Sequence, residues 1–329
     1  MKGHLIFNNV YLGLSSVVVG PLEKKGPLGK YFDESINDYL SGEDSFEKTE
    51  VAMLKKAIKL TLLKEGLTIN DLDCVIGGDL LNQIAASNYT YKEYPVPFLG
   101  VYSACATFIE GLIVGSMAMG CNLNKILVST SSHNLTAERQ FRNPAEYGGA
   151  KAITTTFTVT ASVTQIIKSE NTGLKLSEVT IGRVMDFDFY NQFDMGSIMA
   201  PSALDSLFRH FAYFKTKPDD YDLILTGDLS EVGFKIVKEG LEEQFGTINN
   251  YNDCGRLIFD YPKLTFCGGS GPGCMASVFT GYIKKLIEDG VYKKVLLCGT
   301  GALINTTMNL QKEPIPSISH IVVVEGGIK

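Results

Sequence analysis

The stretch VYSACATFIEGLIVGS, Val101–Ser116, decides the fold. From Ala104 to Met119 only Glu110 is charged, and Gly111 and Gly115 give the run a small-residue face. A helix apolar on nearly all sides has no face for water, so this one belongs in the centre of the molecule. Cys105 stands at its start. A helix N-terminus carries partial positive charge and free N–H groups, which lower a thiol's pKa and stabilise an oxyanion. Cys105 is therefore either a nucleophile or part of a pocket wall.

Working outward, the chain repeats itself. LDCVIGGDLLNQ from Leu72 resembles YDLILTGDLSEV from Tyr221, with Asp79 matching Asp228, an offset of 149 residues. KILVSTSS from Lys125 resembles KVLLCGTG from Lys294, an offset of 169 residues, which also sets Cys105 opposite Cys274. The chain reads as two related halves, 1–170 and 171–329. In the first, Leu14–Val19, Leu72–Ile76, Phe98–Val101 and Ile126–Ser129 are expected strands, and Phe46–Glu65 is an amphipathic helix. In the second, Val179–Val184, Leu223–Leu225 and Val295–Cys298 are expected strands, and Ser202–Tyr213 and Met275–Glu288 helices. Gly66, Gly240 and Gly290 are expected helix C-caps. Alternating strands and helices indicate an α/β fold, with the two cysteine-led helices packed between two sheets.

The 329 residues carry a net charge of -6, which excludes the basic footprint of a nucleic-acid-binding protein. Seven cysteines without a C-x-x-C pair, and four scattered histidines, give neither a zinc ribbon nor a thioredoxin motif, and no metal site is expected. The odd cysteine count and an N-terminus without a signal-peptide core favour a reducing compartment. The uncharged apolar stretch Gly111 to Asn124 is too short to cross a bilayer.

This organisation resembles the thiolase fold, which implies two duplicated halves in five layers, α-β-α-β-α, and a homodimer. Longer blocks resemble one family within it: GPLEKKGPLGKYFD (20–33), GDLLNQ (78–83), SSHNLTAERQFRNPAEYGG (131–149), FDMGSIMAP (193–201), GGSGPGC (268–274) and TGALINTTMNLQKEPIPSISH (300–320) are similar to the stage V sporulation protein AD family. The resemblance implies a binding protein for dipicolinic acid, pyridine-2,6-dicarboxylate, alone or as its calcium chelate, with no other cofactor. It implies partners among the membrane proteins of the same sporulation operon. It also implies a peripheral place on the cytoplasmic side of the forespore or spore inner membrane, with uptake during sporulation and release in germination.

Condensing enzymes of this fold bring imidazoles to the cysteine. Here the matching strand end, LTGDLS, offers Asp228, and CGGSGPGC has no histidine where thiolases carry a Gly-His-Pro element. An Asp is a weak base at neutral pH, and its charge opposes an oxyanion. The expectation is a non-catalytic chain with Cys105 as a pocket wall. The alternative is an acyltransferase with Cys105 as nucleophile and Cys298 as acid/base. A third reading is a structural partner with no small ligand.

A flat diacid needs N–H donors or cations at two points and an apolar slot between them. The candidates are Cys105 with its helix N-terminus, His133, Arg139 and Arg142 in one polar loop, Lys24, Asn82 and Ser270. Asp79 and Asp228 join them, as calcium ligands or as helix caps. Tyr102, Phe108, Phe141 and Tyr147 are candidates for the ring contact.

Overall fold

The computed structural model describes residues 2–141, 151–260 and 262–327. Strands Tyr11–Val19, Ala161–Lys168, Lys125–Ser132, Cys74–Asp79 and Phe98–Gly100 lie side by side in that order. A second set, Leu174–Thr180, Ser317–Gly326, Lys294–Ala302, Leu223–Thr226 and Tyr251–Asp253, repeats the arrangement. In both sets the first two pairings are antiparallel and the last two parallel. The sets join edge to edge at the Tyr11–Lys175 pair.

Helices fill three layers around these sheets. The 3-10 turn Ala104–Ala106 leads into the helix Thr107–Met119, which touches strands of both sheets. Beside it runs Pro272–Val278, continued by a π-turn at Phe279–Ile283 and by Lys284–Glu288. Phe108 and Phe279 are fully buried between these two central helices, ring centroids 6.3 Å apart. Phe46–Glu65 covers the outer face of the first sheet. Met195–Phe214 covers the second, with Ser230–Phe245 packed on it. The order is α-β-α-β-α, a thiolase-like fold, as the central apolar helix requires.

Capping chemistry sets the ends of the outer helices. Ser45 accepts from the Lys48 amide at the start of Phe46–Glu65, and Gly66 ends it in the left-handed conformation. The second-half helix begins earlier than its sequence pattern indicates. Asp194 caps it, accepting from the Ser197 amide, and the helix absorbs Pro201 in its second turn. Gly240 is no cap: it lies within Ser230–Phe245, against the Leu204 side chain, and Gly246 ends that helix. The strand expected at Val179–Val184 is Leu174–Thr180, because beyond it the chain leaves the sheet and Arg183 and Val184 are exposed. Ala161–Lys168 escapes the sequence pattern because its outer face is polar. Ser162 and Thr164 face the helix Phe46–Glu65, and Thr164 bonds Thr61 at 2.7 Å.

That polar layer holds a buried acid. Glu50 accepts from Ser131 (2.8 Å) and Thr136 (3.1 Å), while Asp79 stands in register beside Ser131 on the next strand. Burial first, then the Asp79 charge and the nearby Glu47, push the Glu50 carboxyl up to about 8. Glu47 is itself paired with Arg139.

Two outcomes follow from this packing. Phe108→Ala should lower unfolding free energy by about 3–5 kcal/mol in denaturant titration. The folded state binds the Glu50 proton more tightly than the unfolded chain does. That carboxyl's contribution therefore falls as pH rises from about 4.5 to about 8. Glu50→Gln, a mimic of the neutral acid, should gain at least about 1 kcal/mol relative to the parent between pH 5 and pH 8. A pH-independent difference would refute the buried-acid assignment.

Candidate functional site

A slot runs from the surface to Cys105. Its walls are Leu80, Ala137 and Phe141 on one side, Gln192, Phe193 and Met195 on another, and Ala302 and Ile304 on a third. Thr155, Thr156, Thr158, Ser270 and Gly271 complete it. Its volume is about 60 Å³, room for about four to six waters at roughly 10–15 Å³ each. A larger planar ligand must span the mouth as well.

Backbone approach places the cysteine. Ala104 takes the left-handed conformation (φ 49°), turning the chain sharply just before Cys105. The Ser103 carbonyl lies against Gly301, where a Cβ would come within 2.4 Å of it. The cysteine loop thus rests directly on the backbone of the second sheet. His320 fixes it from the side: its Nδ1 accepts from the Gly182 amide (3.0 Å), so its Nε2–H donates to Ser103 Oγ (3.2 Å).

Asp228 dominates the electrostatics at the foot of the slot. It is buried, accepts from Thr300 Oγ1 (2.7 Å) and from the Gly271 amide (3.0 Å), and lies close enough to Cys105 to act on its thiol. Gly271 sits at φ 93°, a conformation that glycine alone adopts freely, and this aims its N–H at the carboxylate. Burial raises the Asp228 carboxyl to about 6, while its donors pull it back. Burial and then the Asp228 charge push the Cys105 thiol well above its ordinary value. Two unit charges about 4 Å apart repel by about 4 kcal/mol at an effective dielectric of about 20. That is about the loss caused by removing one oxyanion-hole donor.

The slot walls carry hydroxyls more than charges. Thr156 Oγ1 donates to Ser270 Oγ (2.8 Å). Thr155 Oγ1 is buried without a partner. An orphaned buried hydroxyl costs roughly 1–3 kcal/mol, so this one is a ready contact for a bound molecule. Glu138 on the wall is paired with Lys151 at 2.7 Å.

Of the residues singled out in the sequence, the structure brings Cys105, Asp228 and Ser270 together, with Phe141 on the wall. The others stand apart. Asp79 caps the helix Ala85–Tyr91, accepting from the Ser87 (2.8 Å) and Leu81 (2.9 Å) amides. His133 takes the Leu135 amide on Nδ1 and gives Nε2–H to the Tyr39 carbonyl (2.9 Å). Stacked on Phe46 and out of water, its ring is held near a pKa of 4. Lys24 donates to the Gly29 carbonyl (3.0 Å), and Arg139 pairs with Glu47. Asn82 lies in a separate groove with Tyr102. Phe108 is core, and Cys298 faces the outer helices rather than Cys105. Arg142 and Tyr147 lie outside the described residues. His4 and His210 meet at Thr180, remote from the slot. Thus all four histidines spend their hydrogen-bonding nitrogens elsewhere than on Cys105.

The threonines were the missed signal. TTTFTVT, 154–160, is a dense hydroxyl run that a strand alone does not need.

The comparisons agree with this geometry. A family model described as Stage V sporulation protein AD (SpoVAD) matches residues 3–325. The chain is 42% identical over 318 residues to stage V sporulation protein AD of Bacillus subtilis (strain 168), covering 96% of this chain and 94% of the relative. Among solved structures, OleA of Xanthomonas campestris aligns over 98% of this chain and 99% of its own, with TM-score 0.62 and 13% identity. 3-Oxoacyl-[acyl-carrier-protein] synthase III of Aquifex aeolicus VF5 aligns over 96% and 99%, with TM-score 0.56 and 12% identity. At such identities the likeness establishes the fold alone.

Cys105 should resist alkylation. Iodoacetamide at pH 8 should label it at least tenfold more slowly than the exposed Cys121 by peptide mass spectrometry. Asp228→Asn removes the opposing charge and should speed Cys105 labelling by about tenfold, one pKa unit. Fast labelling of the parent, or no change in the variant, would contradict the pairing.

Proposed function

Because the chain belongs to the stage V sporulation protein AD family, we propose that it is a non-catalytic binding protein for dipicolinic acid, working beside membrane proteins of its operon. The observation that carries the non-catalytic part is the Cys105–Asp228 contact. Burial and the Asp228 charge raise the thiol's pKa, which favours the protonated sulfur, and the Gly271 amide is given to Asp228. The slot offers a pyridine ring the faces of Phe141 and Phe193 and the Met195 thioether. It offers carboxylate oxygens the Thr155, Thr156 and Ser270 hydroxyls.

The charge balance favours the calcium chelate over the bare dianion. Asp228 at the foot opposes two more negative charges, while Glu138 on the wall is already paired with Lys151. A chelate neutralises its carboxylates before entry, and its calcium accepts further oxygen ligands. Among the described residues no helix is long and apolar enough to cross a membrane. The role we propose at the spore inner membrane is therefore peripheral, with a homodimer as the working form.

Titration calorimetry tests this. Dipicolinate with calcium should bind, dipicolinate with excess chelator at least tenfold more weakly, and benzoate not measurably. Thr155→Val should weaken the chelate severalfold, and Ala137→Trp, which fills the slot, should abolish binding. Equal affinity for benzoate, or an unaffected filled slot, would sink the proposal. An acyltransferase is the second reading, favoured by Cys105 standing at the head of the central helix. It requires a mass shift on Cys105 after incubation with an acyl-CoA.

A further inference from the structure

Beside the slot mouth lies a second concavity. Leu303, Met308, Pro314, Ile315 and Pro316 floor it, and Asp186 and Glu313 stand on its rim. Large apolar side chains around it face water: Val184 is 62% exposed, Tyr190 51% and Leu310 59%. Such residues clustered on one face mark an interaction surface, where scattered ones would not.

The segments that build this face also build the slot. The Ile315 amide donates to the Phe189 carbonyl (2.7 Å), and Asn309 Nδ2 donates to Gln192 Oε1 (3.3 Å). Met185 pairs with Ser317 as an isolated bridge. Gln192 and Ile304, from the same loops, line the slot. Whatever covers the concavity therefore stands over the slot mouth.

Among the described residues, acids predominate on this face. Asp188 accepts from the Tyr190 hydroxyl (2.5 Å), and Asp186 and Glu313 lie close enough to act on the same phenol. Arg183 is already paired with Asp205, which leaves Lys312 against four carboxylates, Asp186, Asp188, Asp194 and Glu313, on segments 183–194 and 303–316. An anionic bilayer would be repelled over this distance, which is within a Debye length of roughly 8 Å. A second copy meeting the same face in two-fold symmetry would set acids against acids.

We propose that this acidic, apolar rim docks a protein partner presenting a short basic and apolar segment. An aliphatic side chain of the partner fills the floor between Met308 and Ile315, and a lysine or arginine sits between Asp186 and Glu313. The pairing combines a buried apolar anchor with charge steering.

Fluorescence anisotropy with a labelled lysine–leucine peptide tests the face, using glutamate–leucine and lysine–serine peptides as controls. The lysine–leucine peptide should bind below about 1 mM, and both controls at least tenfold more weakly. Asp186→Lys with Glu313→Lys should weaken binding at least tenfold, while the remote acidic pair Asp219→Lys with Asp220→Lys should change it less than twofold. Met308→Ser should weaken it severalfold at unchanged salt dependence. Thermal unfolding confirms that each variant is folded. Four results would overturn the proposal: no binding, equal loss in the remote pair, co-flotation with phosphatidylglycerol vesicles, or a dimer in sedimentation velocity that the Asp186/Glu313 reversal dissociates.

Discussion

Asp228 accepts two hydrogen bonds at the floor of the slot, from Thr300 and from the Gly271 amide, and its charge stands beside the Cys105 thiol. The properties of the site follow from that arrangement. A thiol beside a buried carboxylate keeps its proton, because ionising it would place two like charges side by side. The same carboxylate takes the amide that would otherwise face a developing oxyanion. A helix N-terminus alone would favour the thiolate. Here the carboxylate wins, since a full charge beside the sulfur exceeds the half-charge of a helix end.

The arrangement also binds the two halves of the chain to each other. Cys105 comes from the first half, and Asp228, Gly271 and Thr300 from the second. The Ser103 carbonyl against Gly301, and His320 on Ser103 Oγ, hold the cysteine loop to the second sheet without any side chain between the backbones. The site therefore forms only when the central helices have packed, and Phe108 against Phe279 is the apolar contact that packs them. Burying two such rings supplies several kcal/mol, enough to offset the desolvation of one well-bonded carboxylate.

Much of this frame was legible in the residues. The run Ala104–Met119 has one charge, so its central place followed from solvation alone. The repeated G-D-L segments carried the duplication, which the matched strand orders display. The site was legible only at Cys105, Asp228 and Ser270. His133, Arg139 and Lys24 looked like ligands because they are polar and close to a strand end or loop, yet each meets a local partner first. Their partners, the Tyr39 carbonyl, Glu47 and the Gly29 carbonyl, lie on other turns of the chain that no spacing rule brings near. The threonine wall was missed for a related reason: hydroxyls at 154–160 gain meaning only once Ser270 and Met195 fold against them. The Ala161–Lys168 strand was hidden because its outer face is polar and buried, which reverses the usual alternation.

The negative field and the uncharged hydroxyls of the slot act together on any ligand. Asp186 and Glu313 line the concavity beside the slot, and Asp228 holds the Gly271 amide at the slot's foot. A free dianion is slowed at the first and repelled at the second, whatever its fit to the walls. On the proposed reading, a dianion that brings its own divalent cation carries no net charge and would be spared that repulsion. On the proposed reading, selection by charge state would precede any contact with the ring. The walls need therefore only read shape, which hydroxyls, phenyl rings and a thioether do well in a dry slot.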